Sequence, residues 1–295
     1  MAQQGSHPYH GLYINLDRSP ERRRNMEEQF ASLGLQDVYA RFSAVDGKTI
    51  PLPESSLKSG EIGVFLSHRR ALEAAKAKNQ TVHILEDDAL LTPHVSVVIR
   101  DAIKGNLFDR YDLLFTDIIV NCEIGLLKSL RQAFEKTKFP ASGPLRLSDL
   151  QLIDLARVNF ASTLSYVVGA KSIEKVIALY DQEIAEGLTA PIDIFLRRAV
   201  HKGKLRAVCT FPFLTAGRLE EVMATTVEDR RLRARRESAV VIAVLHYLFF
   251  AGRDLDYAQR ALDTATKGPR KPAERHHALI MQAAEFVMSL DFEDF

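Results

Sequence analysis

The sequence predicts an α/β fold in which helices flank a sheet, with an α-helical extension at the C-terminal end. Three observations support this class. Short apolar segments alternate with segments of helical spacing through the first part of the chain. The apolar run Val82–Leu85 ends abruptly in carboxylates, as strands at the ligand-binding edge of an open sheet often do. Beyond Ala224 the spacing of apolar residues is helical throughout.

The elements follow in a β-α-β-α-β order, which predicts a parallel sheet. The predicted strands are Leu12–Leu16, Val38–Phe42, Val82–Leu85, Leu113–Phe115, Leu164–Val168 and Leu205–Cys209. The predicted helices begin near Pro20, Ser59, Ser172 and Pro191. The stretch Asn121–Asp154 is predicted to be an irregular insertion, because Phe139-Pro140 and Gly143-Pro144 interrupt any regular pattern.

Composition predicts a globular protein without a nucleic-acid partner. A chain of 295 residues allows one large domain with an appendage, and 46% hydrophobic residues can form a sizeable core. The net charge of +1 gives no general attraction to nucleic acid. Cys122 and Cys209 have no zinc-like spacing, which favours a reducing compartment. No signal-peptide pattern or membrane-span pattern is found, so we expect a cytoplasmic protein.

The acidic run after Leu85 is the strongest indication of chemistry. Alternation along a strand sends Glu86 and Asp88 to one side and Asp87 to the other. Carboxylates this close repel one another unless water or a cation lies between them. Mn²⁺ or Mg²⁺ suits such oxygen ligands and can also hold substrate phosphates. The alternative is a solvated acidic turn after a buried strand.

Four motifs in series resemble glycosyltransferase family 25, the lipooligosaccharide galactosyltransferases, to which the collagen galactosyltransferases are also similar. They are YINLDRSPERRRNM (Tyr13–Met26), AVDG (Ala44–Gly47), GEIGVFLSHRRAL (Gly60–Leu72) and ILEDDAL (Ile84–Leu90). The resemblance covers about Tyr9 to Phe213 and implies a GT-A-like fold, so we expect a GT-A-like domain over residues 9–224. The sequence pattern outside the resemblance predicts a flexible tail (1–8) and a helical extension (225–295). It also implies a UDP-hexose donor, most often UDP-galactose, a divalent metal, and transfer with inversion to a glycan or glycolipid acceptor.

In the family pattern the acidic run acts as a DxD-like motif. The resemblance makes Asp88 the direct metal ligand and places Glu86 toward the ribose or a metal-bound water. Asp87 braces the turn or contacts the sugar. His83 and His201 are further candidate ligands, although each is an ordinary structural histidine in the simpler interpretation.

The end of the first strand is predicted to lie beside the nucleotide cleft. Asn15, Asp17 and Arg18 are found there, and the Arg18 guanidinium suits a diphosphate. The alternative is a helix-entry turn with Arg18 in solvent. Asp46 starts an Asp-Gly turn, and the family pattern adds a contact to uridine. The arginines at 22–24 are predicted to be mostly solvated.

Glu61 and His68 lie seven residues apart and therefore share one face of a helix. This face either borders the donor cleft or braces the fold. Inverting transfer needs a base for the acceptor hydroxyl. Asp193 matches the family's PxD position and is the first choice, while Asp117, at the end of the Phe115 strand, is the second. The simpler role of Asp193 is to stabilise a helix N-terminus.

Two positions depart from the family pattern. Val64 stands where a cysteine is common, a small apolar change of little consequence. Thr163 and Leu164 stand where a small residue usually precedes the aromatic, which leaves the acceptor and sugar contacts undefined.

The C-terminal extension has a basic stretch (230–236) followed by an apolar block that continues to Phe250. Such a helix can contact an anionic membrane through residues 230–251, or can be buried against its neighbours. Helices near 254–266 and 273–290 are expected to form a small bundle with it. The expected function is hexose transfer to a lipopolysaccharide-type glycan. The alternatives are a protein O-glycosyltransferase of the same fold and a non-catalytic UDP-sugar-binding scaffold.

Overall fold

The computed structural model describes residues 7–49, 55–120, 124–140, 142–220, 243–244 and 246–266. The strands are β1 (Tyr9–Asn15), β2 (Tyr39–Ser43), β3 (Thr81–Glu86), β4 (Ala89–Leu91), β5 (Leu113–Phe115), β6 (Ile119–Val120), β7 (Gln151–Asp154), β8 (Phe160–Ala161), β9 (Ser165–Val168), β10 (Ala207–Phe211) and β11 (Thr215–Gly217). The helices are α1 (Pro20–Ser32), α2 (Ser59–Lys76), α3 (Val95–Lys104), α4 (Leu107–Arg110), α5 (Ile124–Lys136), α6 (Ile173–Ala185), α7 (Ile192–His201) and α8 (Leu255–Thr266). The α/β class is confirmed.

The central sheet has seven strands in the order β2-β1-β3-β9-β5-β10-β7. The pairs β1–β2, β1–β3 and β5–β10 are parallel. Because β1, β3 and β5 all end at the same edge of the sheet, the residues that follow them lie close together. Two small two-stranded sheets, β11–β4 and β6–β8, extend from this edge.

The sheet is mixed and not parallel as predicted, because the predicted strand β9 and the additional strand β7 both run antiparallel to their neighbours. Strand β9 runs antiparallel to both β3 and β5, and β7 runs antiparallel to β10. The chain after β5 does not return to the opposite edge through a helical crossover, which a parallel strand would require. It enters β9 from the edge where β3 and β5 end, so that the Glu86 N–H bonds the Leu164 carbonyl at 2.9 Å.

Side chains alternate between two cores on opposite faces of the sheet. Ile84 of β3 and Tyr166 of β9 pack with α2, α6 and α7, whereas Leu85 and Val167 pack with α1 and α3. All four are fully buried. This alternation sets the direction of the residues that continue β3 beyond its last apolar position.

The predicted irregular insertion contains regular structure. Helix α5 and strand β7 lie within it, so the prediction for residues 121–154 is wrong for those segments. The Pro and Gly breakers fall between α5 and β7 and not within them. The β4–β11 pair was also not predicted, because three-residue strands carry too little alternation to be recognised.

A chain of buried polar side chains crosses the sheet. Tyr39 Oη lies 2.7 Å from His83 Nδ1, and His83 Nε2 lies 2.8 Å from Ser165 Oγ. Ser165 Oγ also lies 2.5 Å from Thr116 Oγ1, and Thr116 Oγ1 lies 3.0 Å from Thr215 Oγ1. The chain therefore links β2, β3, β9 and the end of β5 to β11, close to the edge where the acidic run lies.

The described C-terminal residues pack on the sheet domain. The Phe213 N–H bonds the Phe249 carbonyl at 3.0 Å, and the Ala251 N–H bonds the Phe213 carbonyl at 2.8 Å. Phe249 belongs to the main core, and Phe250 packs with Leu219 in a smaller cluster. The C-terminal segment is thus part of the same packed unit as β11.

Several predictions concern residues outside the described ranges. They are the 224/225 boundary, the basic stretch 230–236, most of the apolar block and the helix near 273–290. Helix α8 confirms the predicted helix near 254–266. In the described part of the chain, the helices lack the combination of length and apolarity needed to cross a bilayer.

Candidate active site

The site lies at the carboxyl edge of β1, β3 and β5. These strands end next to Asn15, the acidic run 86–88 and Asp117 respectively. The antiparallel entry of β9 brings Ser162 and Thr163 to the same place, where Ser162 adopts the left-handed φ of 92°. Carboxylates, hydroxyls and an amide from four segments thus converge on one edge.

Glu86 turns toward the α2 face of the sheet. Thr163 Oγ1 donates to Glu86 Oε1 at 2.7 Å, and His68 Nε2 lies 3.6 Å from the same oxygen. His68 is fully buried, and its Nδ1 lies 2.9 Å from the Tyr166 hydroxyl. Burial opposes ionisation of Glu86, but the contacts with His68 and Thr163 hold its pKa below the usual range. Glu86 is therefore a fixed anion with Oε1 occupied.

Asp87 turns toward the opposite face, as strand alternation predicts. Asn15 Nδ2 donates to Asp87 Oδ2 at 2.7 Å, and Arg22 Nη1 lies 3.0 Å from Asp87 Oδ1. Arg41 Nε in turn donates to Asn15 Oδ1 at 2.9 Å. Burial raises the pKa of Asp87, while Asn15 and Arg22 act in the other direction. Both oxygens have protein partners, so Asp87 braces the turn.

Asp88 differs from its neighbours. Its Oδ1 is buried and has no hydrogen-bond partner among the described residues. Burial, followed by the charge of Glu86, raises the pKa of Asp88 to about 7. The main chain is fixed, because the Arg218 N–H donates to the Asp88 carbonyl at 3.0 Å. A buried carboxylate oxygen without a partner is unfavourable, and a cation or donor from a ligand would stabilise it.

The other predicted nucleotide residues fall into separate contacts. Arg18 and Asp46, predicted independently, form an ion pair with each other. Asp17 is exposed and pairs with Arg41, which together with Ser43 lowers the pKa of Asp17. Arg18 is about half exposed, so a ligand can reach it.

Glu61 and His68 share a helix but not a role. Glu61 Oε2 accepts from the Lys58 N–H at 2.8 Å, which caps the N-terminus of α2. His68, two turns later, reaches Glu86 and Tyr166. Of this predicted pair, only His68 contacts the acidic run.

The two candidate bases differ in accessibility. Asp117 is 1% exposed, and its Oδ2 accepts from Ser162 Oγ at 3.0 Å. Its Oδ1 lies 3.3 Å from His246 Nε2. Burial raises the pKa of Asp117, and the His246 charge opposes this shift. Asp193 lies in the first turn of α7, is partly exposed, and accepts from the Ile194 N–H at 2.8 Å.

The two candidate histidine ligands have structural contacts. His83 belongs to the buried polar chain, and burial lowers its pKa to about 3. His201 Nε2 bonds the Val158 carbonyl at 2.9 Å. Across the described residues, no three or more His, Cys, Asp or Glu side chains form a group that could hold a metal ion. An ion at Asp88 would therefore take most of its ligands from water and substrate, a common arrangement for Mg²⁺.

Three residues of the site were not predicted as partners. Arg22 was expected in solvent but pairs with Asp87, and His246 comes from the C-terminal extension to Asp117. Thr163 was noted only as a departure from the family pattern, yet it bonds Glu86. Nothing in the local sequence signals these contacts, because each joins residues far apart in the chain.

The protein has an open α/β sheet with polar and acidic side chains at its carboxyl edge. These features place it in the class of α/β proteins that bind ligands, including nucleotides, at this edge. The sequence matches glycosyltransferase family 25 (LPS biosynthesis protein) over residues 10–196. The chain belongs to this family, as the motifs predicted.

The chain is similar to curated insect proteins. The chain is 33% identical over 126 residues to a "Glycosyltransferase 25 family member" of Drosophila pseudoobscura pseudoobscura, covering 36% of this chain and 20% of the relative. It is 36% identical over 116 residues to a protein of the same name in Aedes aegypti, covering 32% of this chain and 19% of the relative. The matched region thus spans about a fifth of the length of these relatives.

Proposed function

We propose that the protein transfers a hexose from a UDP-sugar, with UDP-galactose as first choice, to a hydroxyl of a glycan acceptor with inversion. A lipopolysaccharide-type acceptor is our first choice, because the matching family description names LPS biosynthesis. The acceptor oxygen would attack the anomeric carbon, while the bond from that carbon to the UDP oxygen breaks. UDP leaves with the bonding electrons, and the hydroxyl proton passes to a base.

Asp88 is the observation that carries this proposal. A carboxylate with a buried oxygen and no partner among the described residues stands at the edge where α/β sheets bind ligands. Its two acidic neighbours are held by protein contacts, so Asp88 is left to meet a ligand. In a protein of this family, we infer that the ligand is the cation and diphosphate of the donor.

The residues fit a divalent cation that is shared with substrate. Asp88 would hold Mn²⁺ or Mg²⁺ directly, and Glu86 would face it through Oε2, since the described contacts of Glu86 are to Oε1. When bound, such an ion stabilises the negative charge that grows on the departing diphosphate. His68 and Thr163 would keep Glu86 ionised and oriented.

Asp193 is the better base of the two candidates. A base must meet the acceptor hydroxyl, and Asp193 is partly exposed whereas Asp117 is 1% exposed. Helix α7 is tied to the site, because Arg197 Nη1 donates to the Phe160 carbonyl at 2.9 Å, just before Ser162 and Thr163. We therefore assign Asp117 a positioning role with Ser162 and His246.

The first test is binding of UDP with and without Mn²⁺, measured by thermal shift and calorimetry on wild type and Asp88→Asn. Asp37→Asn, at an exposed carboxylate, is the matched control. We expect wild type and the control to bind UDP in a Mn²⁺-dependent way, and Asp88→Asn to lose at least tenfold in affinity, about the effect of one charge-assisted contact. Equal UDP binding by Asp88→Asn would contradict the proposed site.

Turnover separates the alternatives. Transfer from UDP-galactose to a glycan, lost in Asp193→Asn with UDP binding retained, would support the proposal. Transfer to a protein hydroxyl would instead identify a protein O-glycosyltransferase. UDP binding without turnover over the whole acceptor panel would favour a scaffold that uses the site only to bind.

A further inference from the structure

Arg218 stands directly beside the acidic run, although it lies beyond the residues that match the family. Strand β11 pairs antiparallel with β4, with Gly217 opposite Ala89. Arg218 follows Gly217, and Asp88 precedes Ala89. The Arg218 N–H donates to the Asp88 carbonyl at 3.0 Å. The short β4–β11 pairing thus fixes the main chain of Arg218 next to the main chain of Asp88.

The guanidinium of Arg218 has unused hydrogen-bonding capacity. Its Nε is buried and has no hydrogen-bond partner among the described residues. The other arginines near this edge differ, because Arg22 pairs with Asp87, Arg41 with Asp17, and Arg18 with Asp46. An unsatisfied buried N–H is unfavourable by an amount comparable to a lost hydrogen bond, so a partner is expected in the working state.

Arg218 and Asp88 are therefore main-chain neighbours at the end of the β4–β11 pairing, and each has a buried polar atom without a hydrogen-bond partner among the described residues: Arg218 Nε and Asp88 Oδ1. The carboxylates of the acidic run repel an anion on its own, and Arg218 repels a cation on its own. A diphosphate with its divalent cation satisfies both, because it presents metal to the carboxylate and phosphate oxygens to the guanidinium. The planar guanidinium fork suits phosphate oxygens particularly well.

We propose that Arg218 binds the diphosphate of the nucleotide-sugar donor while Asp88 holds the accompanying cation. This inference rests on the proposed function and adds a residue outside the family match to the donor site. Arg218 would stabilise the charge that accumulates on the leaving diphosphate as the sugar departs. The β4–β11 pair is then the element that holds the two halves of the diphosphate site together.

The test compares UDP with uridine on wild type, Arg218→Gln and Arg218→Lys, with Mn²⁺ present and binding measured by calorimetry. Arg157→Gln removes the same charge from an exposed turn and is the matched control. We expect Arg218→Gln to lose about tenfold to hundredfold in UDP affinity, the range of a charge-assisted hydrogen bond. Uridine affinity should be unchanged, since uridine carries no phosphate.

The outcomes separate this inference from the proposed function. If wild type binds no UDP, the proposed function fails and the role of Arg218 fails with it. If wild type and Arg218→Gln bind UDP equally while Asp88→Asn does not, only the role of Arg218 is overturned. Should Arg218→Gln not fold, Arg218→Lys decides: it keeps the charge but loses the fork, and a UDP affinity equal to wild type overturns the inference.

Discussion

At the residue scale, surroundings give adjacent carboxylates different chemistry. Glu86 is held as an anion by His68 and Thr163, and Asp87 is braced by Asn15 and Arg22. The Oδ1 atom of Asp88 is buried without a hydrogen-bond partner among the described residues, and burial, followed by the charge of Glu86, raises the pKa of Asp88 to about 7. Three residues of similar intrinsic acidity thus differ in their pKa shifts because their contacts and burial differ.

Strand alternation was enough to predict that Glu86 and Asp87 face opposite ways. It could not predict their partners, because Arg22 lies 65 residues from Asp87 and Thr163 lies 77 residues from Glu86. Contacts at such separations follow from sheet order and strand direction, which local patterns do not contain.

His83 provides a pH prediction at the same scale. Burial lowers its pKa to about 3, whereas an unfolded histidine titrates near pH 6.5. Below pH 6.5 the unfolded chain binds a proton that the native state does not, so this contribution to stability is complete above pH 6.5 and is lost as pH falls toward 3. The slope is about 1.4 kcal/mol per pH unit for one such group.

We expect His83→Gln to be less stable than wild type at pH 7.5 but to lose about 1 kcal/mol less between pH 6.5 and 5.5. Urea unfolding at these pH values measures the difference. His201→Gln, which removes a histidine from an exposed position, is the matched control. A His83→Gln profile parallel to wild type would show that His83 is not the titrating group.

At the element scale, the N-terminal half of α2 is closely packed on the loop that carries Asp46. The Val45 N–H donates to Ser67 Oγ at 2.8 Å, and Ser67 Oγ donates to the Gly63 carbonyl at 2.6 Å. A Cβ on Gly63 would lie 2.7 Å from the Val45 carbonyl oxygen and 2.9 Å from the Gly47 nitrogen. Both are main-chain atoms that cannot rotate away.

Gly63→Ala should therefore destabilise the protein by about 1–3 kcal/mol, the range of overpacked sites, although alanine favours helix formation. Gly60→Ala is the matched control in the same helix, because nothing lies within 4 Å of its added Cβ. That variant should be neutral or slightly stabilised. Thermal unfolding of both measures the effect, and equal melting temperatures would contradict the close approach.

The success of sequence prediction at this scale depended on element length. Strands such as β1 and β3 and helices such as α1 and α2 carry enough residues for a clear period. The three-residue strands β4 and β11 do not, although they hold Arg218 against the acidic run. The direction of β9 was predicted wrongly because strand pattern is the same for parallel and antiparallel pairing.

At the scale of the whole molecule, the C-terminal segment completes the sheet domain. His246 reaches Asp117, and Phe213 exchanges main-chain hydrogen bonds with the segment that contains Phe249. The ring of His246 also stacks on Phe213, with centroids 4.3 Å apart. A family match that ends at residue 196 therefore omits residues that pack in the core and at the site.

Phe249→Ala should lower the stability of the whole unit by about 3–5 kcal/mol, as for other large buried aromatic residues. Phe249 is 4% exposed and packs in the main core. Leu255→Ala is the control, since Leu255 is 59% exposed and its truncation should change stability by less than about 0.5 kcal/mol. Denaturant unfolding followed by circular dichroism tests this, and an unchanged main transition in Phe249→Ala would mean that the segment folds independently.

The buried polar chain from Tyr39 to Thr215 has a consequence for how relatives diverge. Each member is hydrogen-bonded to at least one other member inside the buried core, so replacing one alone leaves a neighbouring polar atom without its partner. Replacing all five residues with apolar residues of matching shape leaves no buried polar atom without a partner and is therefore not destabilising for this reason. Across homologous sequences, these five positions should consequently be inherited or lost as a group, a co-variation that joins strands whose local patterns are otherwise independent.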